Sequence, residues 1–324
     1  MSMKAVAETE PSRAPRWEVN KSLDVHALIL TKDEEIHIGR CIASLLGRVT
    51  SITVIDSGSS DNTREIALSL GAVVIENPWV NYATQMNFGI DFLSGRGGWL
   101  LRIDADETLD TEHPIDLANI VSKAAIDCDG ILMKRRIYFL GRRIRFGGIE
   151  PSWQLRLWRN GRGKCEQRWM DEHIIVERRV QKSSLSLSDR NLKSLTWWMS
   201  KHNSYASREA ADILSKKIKG FQPKVEQDRK LSAQAAAKRL MKEKIYLRLP
   251  AAWRAFVYFL YRYVILLGFL DGRSGLYFHL LQGFLYRTLV DAKVNEIIDL
   301  AKKSNISLED AIKDRTGIDL RSGV

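Results

Sequence analysis

The chain has 324 residues, of which 45% are hydrophobic and 27% are charged, so it can bury a sizeable core and is not disordered throughout. Its 50 Lys and Arg residues exceed its 39 Asp and Glu residues, and the net charge of +11 favours an anionic partner: nucleic acid, a phosphorylated substrate or a lipid surface. Three distant cysteines exclude a disulfide framework and a CxxC metal site and indicate a reducing compartment.

Short β-branched runs alternate with helical patterns through the first hundred residues. Strands are predicted at 25–30, 51–55, 72–75 and 99–103, and helices at 34–46, 62–70 and 82–93. Asn62 and Glu65 have the spacing of a capping box at the start of the second helix. The alternation predicts an α/β fold with a mostly parallel sheet and helices on both faces.

The pattern then changes twice, which predicts four regions. Residues 129–180 alternate as antiparallel strands do, and a helical pattern follows residue 184. We therefore predict a disordered leader at 1–22, an α/β domain at 23–183, a helical, basic and aromatic region at 184–290, and an amphipathic helical tail at 291–324. The leader lacks the apolar run of a signal peptide, so we expect a chain that is not exported.

The strongest local signal is the run RIDADE, which directly follows the apolar strand at 98–101 and contains Asp104 and Asp106. Carboxylates at the carboxyl end of such a strand project into the crevice where open α/β sheets bind ligands. Mg²⁺ and Mn²⁺ take one or two carboxylates together with diphosphate oxygens. The alternative is a solvated acidic turn, because matches this short arise by chance.

Two further acidic loops follow predicted strands. Asp56 and Ser57 begin the run DSGSSDNT after the second strand, and the run TKDEE after the first contains Thr31, Asp33 and Glu35. Such acids can accept hydrogen bonds from a ribose or a base. A turn with a helix cap is the alternative for the second loop. Because the three loops share one rim of the sheet, together they indicate a site for a nucleotide and a metal.

Two other nucleotide-binding classes lack their motifs in this sequence. No GxGxxG follows the first strand, which argues against a dinucleotide oxidoreductase, and no GxxxxGK[ST] occurs, which argues against a P-loop kinase.

The runs LILTKDEE, VIDSGSSDNT and RIDADE resemble a family 2 glycosyltransferase of the GT-A fold. Downstream, FLGRRIRFGG, WQLRLWR and MDEH resemble the branch that extends lipopolysaccharide cores and lipid-linked saccharides. The resemblance covers residues 24–180 well and the helical region more loosely. It implies an enzyme that moves a sugar from a nucleotide diphosphate donor, with UDP expected, to a hydroxyl of a lipid-linked or lipopolysaccharide-type acceptor.

The resemblance also implies roles for the residues of the three loops. Asp33 or Glu35, with Asp56, would hold the base and ribose, and Thr31 and Ser57 lie in the same loops. Mg²⁺ or Mn²⁺ bridging the diphosphate would be anchored by Asp106 and, less directly, by Asp104. Arg156 could steady the leaving phosphate as a bidentate donor, or it could be an ordinary surface arginine.

Inverting transfer also needs a general base that takes the proton of the acceptor hydroxyl. The run Asp171-Glu172-His173 lies between two strand patterns, where related sequences carry a His-Glu pair, and Glu172 falls on the glutamate. Asp171 is the alternative base, and an ordinary exposed loop acid is the alternative to any catalytic role. His173 is expected to be structural, since no partner histidine lies nearby.

The last third of the chain separates basic from aromatic residues. Residues 215–248 contain eleven Lys and Arg against three acids, a local net charge of +8, and residues 253–286 contain eleven of the 28 aromatics. A solvated helix and core packing are the simplest explanations. Nucleic-acid binding is not expected, because it would need the two types interleaved. We expect peripheral, monotopic association with the anionic cytoplasmic face of the inner membrane. A non-enzymatic membrane-surface or nucleic-acid-binding protein on the same fold is the alternative function.

Overall fold

The computed structural model describes residues 24–110, 117–166, 172–216, 218 and 251–322. The predicted leader at 1–22 and most of the basic stretch at 215–248 therefore lie outside the described residues.

Between residues 24 and 190, the described residues form a central β-sheet, a small hairpin and the helices that cover the sheet. The sheet strands are β1 (Val25–Thr31), β2 (Ser51–Asp56), β3 (Val73–Glu76), β4 (Trp99–Arg102), β5 (Glu107–Leu109), β6 (Cys128–Phe139), β7 (Arg142–Ile144), β8 (Ser152–Arg159) and β11 (Arg179–Arg190), and the hairpin strands are β9 (Gly163–Cys165) and β10 (Ile174–Val176). The order across the sheet is β3-β2-β1-β4-β8-β6-β11-β5, with β7 beside β6. Strands β1 to β4 pair in parallel, whereas β8 is antiparallel to both β4 and β6.

Helices cover the sheet and form most of the described residues after residue 194. They are α1 (Glu35–Ala43), α2 (Thr63–Ser69), α3 (Tyr82–Leu93), α4 (Leu117–Ser122), α5 (Leu195–Ser215), α6 (Ala251–Leu260), α7 (Gly272–Phe278), α8 (Tyr286–Ser304) and α9 (Leu308–Thr316). A π-helical turn, Tyr261–Ile265, extends α6, and a second one, His279–Leu285, joins α7 to α8; short 3₁₀ turns are Gly268–Asp271 and Leu320–Ser322. The predicted α/β class with a helical C-terminal region is confirmed.

The alternation of side chains along β1 explains the two helical layers. Val25, Ala27 and Ile29 are fully buried in the cluster that also contains the apolar faces of α1 and α2. Leu28 points to the other face, where α3 packs. The contact is close: a Cβ on Gly89 of α3 would lie 2.6 Å from a methyl carbon of Leu28. The tight packing of α3 fixes the rim of the sheet, where the predicted loops lie.

The predicted change to helix after residue 184 is wrong. Strand β11 continues to Arg190, and α5 begins only at Leu195. The serines of β11 are poor strand formers, so the sequence does not predict this buried strand. In the structure Leu187 pairs with Arg135 of β6 and with Leu109 of β5. Neighbouring strands on both sides thus override the low strand propensity of serine. The predicted boundary at residue 291 likewise falls inside α8, so the tail is not a separate region.

Helices α5, α8 and α9 pack against one another around a second hydrophobic core. Leu214 of α5 is buried with Ile297 of α8 and Ile312 of α9. Glu209 of α5 accepts hydrogen bonds from the Tyr286 hydroxyl at 2.6 Å and from Arg287 at 2.8 Å. Helix α5, which directly follows the sheet, is thereby held by the end of the chain.

Candidate active site

A cleft of about 1590 Å³ opens at the carboxyl ends of β1, β2 and β4. Most of the predicted site residues line it: Thr31, Asp33, Ser57, Asp104, Asp106, Arg156 and Glu172. Glu35 and Asp56 are not among the lining residues, and Asp171 lies outside the described residues. Residues separated by up to 141 positions in sequence therefore meet on one concave surface, as the strand-end argument requires.

Asp56 is buried and its carboxylate is already engaged by the loop that follows β2. One oxygen, Oδ1, accepts from the backbone N–H groups of Gly58 at 2.9 Å and Ser59 at 2.7 Å. The other, Oδ2, accepts from the hydroxyls of Thr31 at 2.9 Å and Ser59 at 2.5 Å. Asp56 thus ties the first two acidic loops together, and its predicted contact with ribose or base stays a prediction.

Asp33 and Glu35 also accept backbone hydrogen bonds, from two different residues of the loop after β2. Asp33 adopts φ +53° and its Oδ1 accepts from Ser60 N at 2.7 Å, and this backbone hydrogen bond lowers the pKa of the Asp33 carboxyl. Glu35 Oε2 accepts from both nitrogens of Asn62, at 3.1 and 3.0 Å. The predicted capping box between Asn62 and Glu65 is therefore wrong, because the Asn62 side chain donates to Glu35 and makes no cap hydrogen bond.

Asp104 lies in a dense network of charges. Its Oδ2 is 3.1 Å from Arg156 Nη2 and its Oδ1 is 3.4 Å from Arg102 Nε, while its side chain stays one-third exposed, at 32%. Burial alone would raise the pKa of Asp104, but the two guanidiniums outweigh it and hold that pKa well below its ordinary value. Asp104 therefore remains ionised at the wall of the cleft.

Arg156 is a buried side chain, which excludes the surface-arginine alternative. It is 1% exposed, and its Nη2 donates to Glu107 Oε1 at 2.6 Å as well as to Asp104. Its Nε and Nη1 atoms have no hydrogen-bond partner within the described part of the chain. Both nitrogens are covered by neighbouring atoms, so Arg156 favours an anionic ligand in the cleft that it lines through its positive charge.

Asp106 is the better placed of the two aspartates for a metal ion. Its Oδ2 accepts from the neutral side-chain amide of Asn191 at 3.0 Å, whereas a cation at Asp104 would compete with Arg102 and Arg156. Among the described residues no three His, Cys, Asp or Glu side chains form a metal cage. One or two carboxylates completed by diphosphate oxygens fit these residues, because Mg²⁺ is commonly bound in that way.

Glu172 is half-buried in the cleft wall, two residues before the start of β10. The hairpin β9–β10 that carries it is anchored to α3 by Asn87, which accepts from Cys165 N and donates to Cys165 O, both at 2.9 Å. Burial, together with the Glu172 carboxylate nearby, raises the pKa of the Cys165 thiol. The Glu172 carboxylate therefore lines the cleft beside an anchored hairpin, and its role as general base stays a prediction.

Sequence reasoning did not single out two groups that line the same cleft. Tyr82, the first residue of α3, has a buried hydroxyl without a hydrogen-bond partner among the described residues, and the Arg102 guanidinium lies 4.9 Å from its ring centroid. On α5, Trp197, Lys201 and Tyr205 form one face, with Lys201 Nζ 4.8 Å from the Trp197 ring centroid. Their spacing of four residues is the signal that could have revealed this face.

The fold and the cleft are those of an α/β protein with an acidic, metal-compatible site at the strand ends. Comparison with known proteins gives the family: residues 27–178 match the family described as Glycosyl transferase family 2. This match covers just under half of the chain, and it agrees with the resemblance on which the sequence-based prediction rests.

Several curated proteins are similar to parts of the chain. Lipopolysaccharide core biosynthesis glycosyltransferase LpsC of Rhizobium meliloti (strain 1021) is 32% identical over 164 residues, which is 49% of this chain and 59% of LpsC. An uncharacterized glycosyltransferase of Rickettsia felis is 42% identical over 88 residues, 27% of this chain and 30% of that protein. The chain thus spans less than two thirds of these relatives.

Solved structures are similar over shorter stretches. Glucosyl-3-phosphoglycerate synthase from Mycobacterium tuberculosis, solved with Mn²⁺, UDP and glucosyl-3-phosphoglycerate, is 21% identical with a TM-score of 0.29, covering 39% of this chain and 50% of that one. Mannosyl-3-phosphoglycerate synthase from Rubrobacter xylanophilus is 21% identical with a TM-score of 0.30, covering 35% and 40%.

Proposed function

We propose that this chain is an inverting, metal-assisted glycosyltransferase that moves a sugar from a nucleotide diphosphate donor, UDP-linked in our expectation, to a hydroxyl of a lipid-linked or lipopolysaccharide-type acceptor. The observation that carries the proposal is the meeting of Asp104, Asp106, Arg156 and Glu172 on one cleft at the strand ends. The acceptor class is supported by the similarity to LpsC, whose name places it in lipopolysaccharide core biosynthesis.

The donor half of the cleft is suited to a diphosphate. Arg102 and Arg156 line this part of the cleft, and their positive charge favours an anionic group there. Asp106, with Asp104 beside it, would hold Mg²⁺ or Mn²⁺. A bound divalent ion would supply neutralisation of the charge that develops on the leaving diphosphate.

The transfer itself needs a single displacement. The bond from the anomeric carbon to the phosphate oxygen breaks, its electron pair leaves with the diphosphate, and the acceptor oxygen forms the new bond from the opposite face. Glu172 takes the proton that the acceptor hydroxyl loses. The anchorage of its hairpin by Asn87 keeps this carboxylate in the cleft and favours it over a purely solvated loop acid.

A thermal-shift screen with UDP-glucose, UDP-galactose and UDP-N-acetylglucosamine, with and without Mn²⁺, tests the proposal. At least one donor should raise the melting temperature, since a ligand at 100 times its Kd stabilises the folded state by about 2.7 kcal/mol. The variant Asp106→Asn should lose the Mn²⁺-dependent part of this stabilisation. Asp127→Asn, a change at another acid of the same cleft, is the matched control and should keep it.

The outcome also separates the two classes of function. If none of the three donors stabilises the wild-type chain with or without Mn²⁺, the reading as a glycosyltransferase with a UDP donor fails. The alternative, a non-enzymatic membrane-surface or nucleic-acid-binding protein on this fold, would then be preferred.

A further inference from the structure

Two bent helical segments carry a large exposed apolar surface that the cleft does not use. Within the described residues no single helix has the length and apolar composition of a membrane span. The pair Trp253–Ile265 and Gly268–Ser304 meets those criteria only jointly, and its two parts meet at an angle of 72°. Between residues 253 and 285, fourteen large apolar side chains are exposed, with Ile265 at 67% and Trp253 at 64%.

Most of the charged side chains in the same stretch are buried or paired. Residues 253–285 contain four charged side chains. Arg254 forms an ion pair with Asp291, whereas Arg262 and Asp271 are buried, at 6% and 3% exposure. Arg273 is the charged residue that remains exposed. A surface this apolar and this poor in charge is unusual for a soluble monomer and is typical of an interaction site.

The buried charges serve to hold the bend on the glycosyltransferase domain. Asp271 accepts from the backbone N–H groups of Arg145 and Phe146, at 3.1 and 2.9 Å. Arg262 Nε donates to Gly147 O at 2.9 Å, and Gly147 N donates back to Leu266 O at 2.8 Å. The exposed apolar side chains are therefore carried on a bend that is fixed to the loop between β7 and β8.

We propose that this surface, the bent pair from Trp253 to Leu285, docks in one leaflet of a lipid bilayer without crossing it. The 72° bend brings Val264, Ile265 and Phe269 to its turn, where they can enter the leaflet together. Tyr and Trp suit the boundary between water and hydrocarbon, and Trp253 and Tyr277 are exposed at this surface.

The charge of the neighbouring sequence favours an anionic bilayer, and not a second copy of the chain, as the partner of this apolar surface. The stretch at 215–248, which immediately precedes the apolar surface in sequence, carries a net charge of +8. Like charges on two copies would repel, whereas anionic head groups attract such a stretch. The inference does not depend on the identity of the donor sugar, because it rests on residues outside the cleft.

Flotation with vesicles of phosphatidylcholine and phosphatidylglycerol at a molar ratio of 3:1 tests the proposal. The wild-type chain should float, and a large part of the binding should persist at 0.5 M NaCl, since salt screens charges but not apolar insertion. The variant Val264→Ser/Ile265→Ser/Phe269→Ser should bind at least about 100-fold more weakly. Leu68→Ser is the control, because Leu68 is 57% exposed on α2 and should leave binding unchanged.

Labelling gives a second readout that does not depend on affinity. The three native cysteines are buried, so an environment-sensitive dye on Ile265→Cys reports on that position alone. Its emission should shift to the blue on addition of vesicles, and the same dye on Leu68→Cys should not respond. Wild-type protein that stays lipid-free overturns the proposal, as does a triple variant that floats like wild type. A lipid-free dimer that the triple substitution disperses would assign the surface to a second copy instead.

Discussion

Because α3 packs closely on β1, we expect a Gly→Ala substitution to have different effects on stability in α3 and in α1. At Gly89 a new Cβ would lie 2.6 Å from Leu28 Cδ1 and 3.1 Å from Ile55 Cγ1, distances that force the neighbours to move. At Gly39, in the middle of α1, the nearest atom would be Ile66 Cγ2 at 3.5 Å, which is an ordinary contact. Both positions are helical, so the gain in helix propensity from Gly to Ala is about 1 kcal/mol in each.

The steric term should decide the difference between the two variants. Overpacking in a dense core costs about 1–3 kcal/mol, so Gly89→Ala should be neutral or should lower the free energy of unfolding by up to about 2 kcal/mol. Gly39→Ala should raise it by up to about 1 kcal/mol. Urea unfolding of both variants and the wild type, followed by circular dichroism, measures the difference. If Gly89→Ala stabilises as much as Gly39→Ala, the inferred closeness of α3 to the sheet is wrong.

Three further predictions concern the site. Glu172→Gln should keep the donor Kd and lose about 100-fold or more in kcat, the scale of a general base; near wild-type turnover would move the base elsewhere. Asn87→Ala removes the two hydrogen bonds to the β9–β10 hairpin and should lower kcat at unchanged donor Kd; an unaltered kcat would show that the hairpin needs no such anchor. Because its pKa in the folded state is depressed, Asp104 contributes stability above its unfolded pKa near 4 and loses it as the pH falls. The difference in unfolding free energy between wild type and Asp104→Asn should therefore shrink from pH 6 to pH 3, and a difference that does not change with pH would contradict this assignment.

The local hydrophobic pattern of the sequence was sufficient to predict most helices and strands in the first hundred residues. The predicted helix at 82–93 coincides with α3, and the strands at 25–30 and 51–55 end one residue short of β1 and β2. These elements have continuous buried runs or a clear apolar face, so their periodicity carries the information. Strand β11 is different, because its serines make sense only once β5 and β6 lie on either side of it.

The sequence predicted which residues line the cleft better than it predicted the hydrogen bonds that each of them makes. The strand-end rule placed Asp104 and Asp106 on the cleft but carries no information on hydrogen bonds within loops. Asp56 is the clearest case, since its four donors come from Thr31, Gly58 and Ser59 and only the folded loop brings them together. The ion pair of Arg156 with Glu107 joins residues 49 positions apart and has no local signature.

The attachment of the bend through Asp271 has a consequence for shortened versions of this protein. A chain ending before residue 251 would remove the acceptor for the Arg145 and Phe146 amides and the Arg262 donor to Gly147. Those main-chain groups lie only a few positions before β8, the strand that holds Arg156. Trimming the helices to obtain an easily handled fragment would therefore loosen a strand that lines the cleft, so poor turnover by such a fragment would say little about the intact protein.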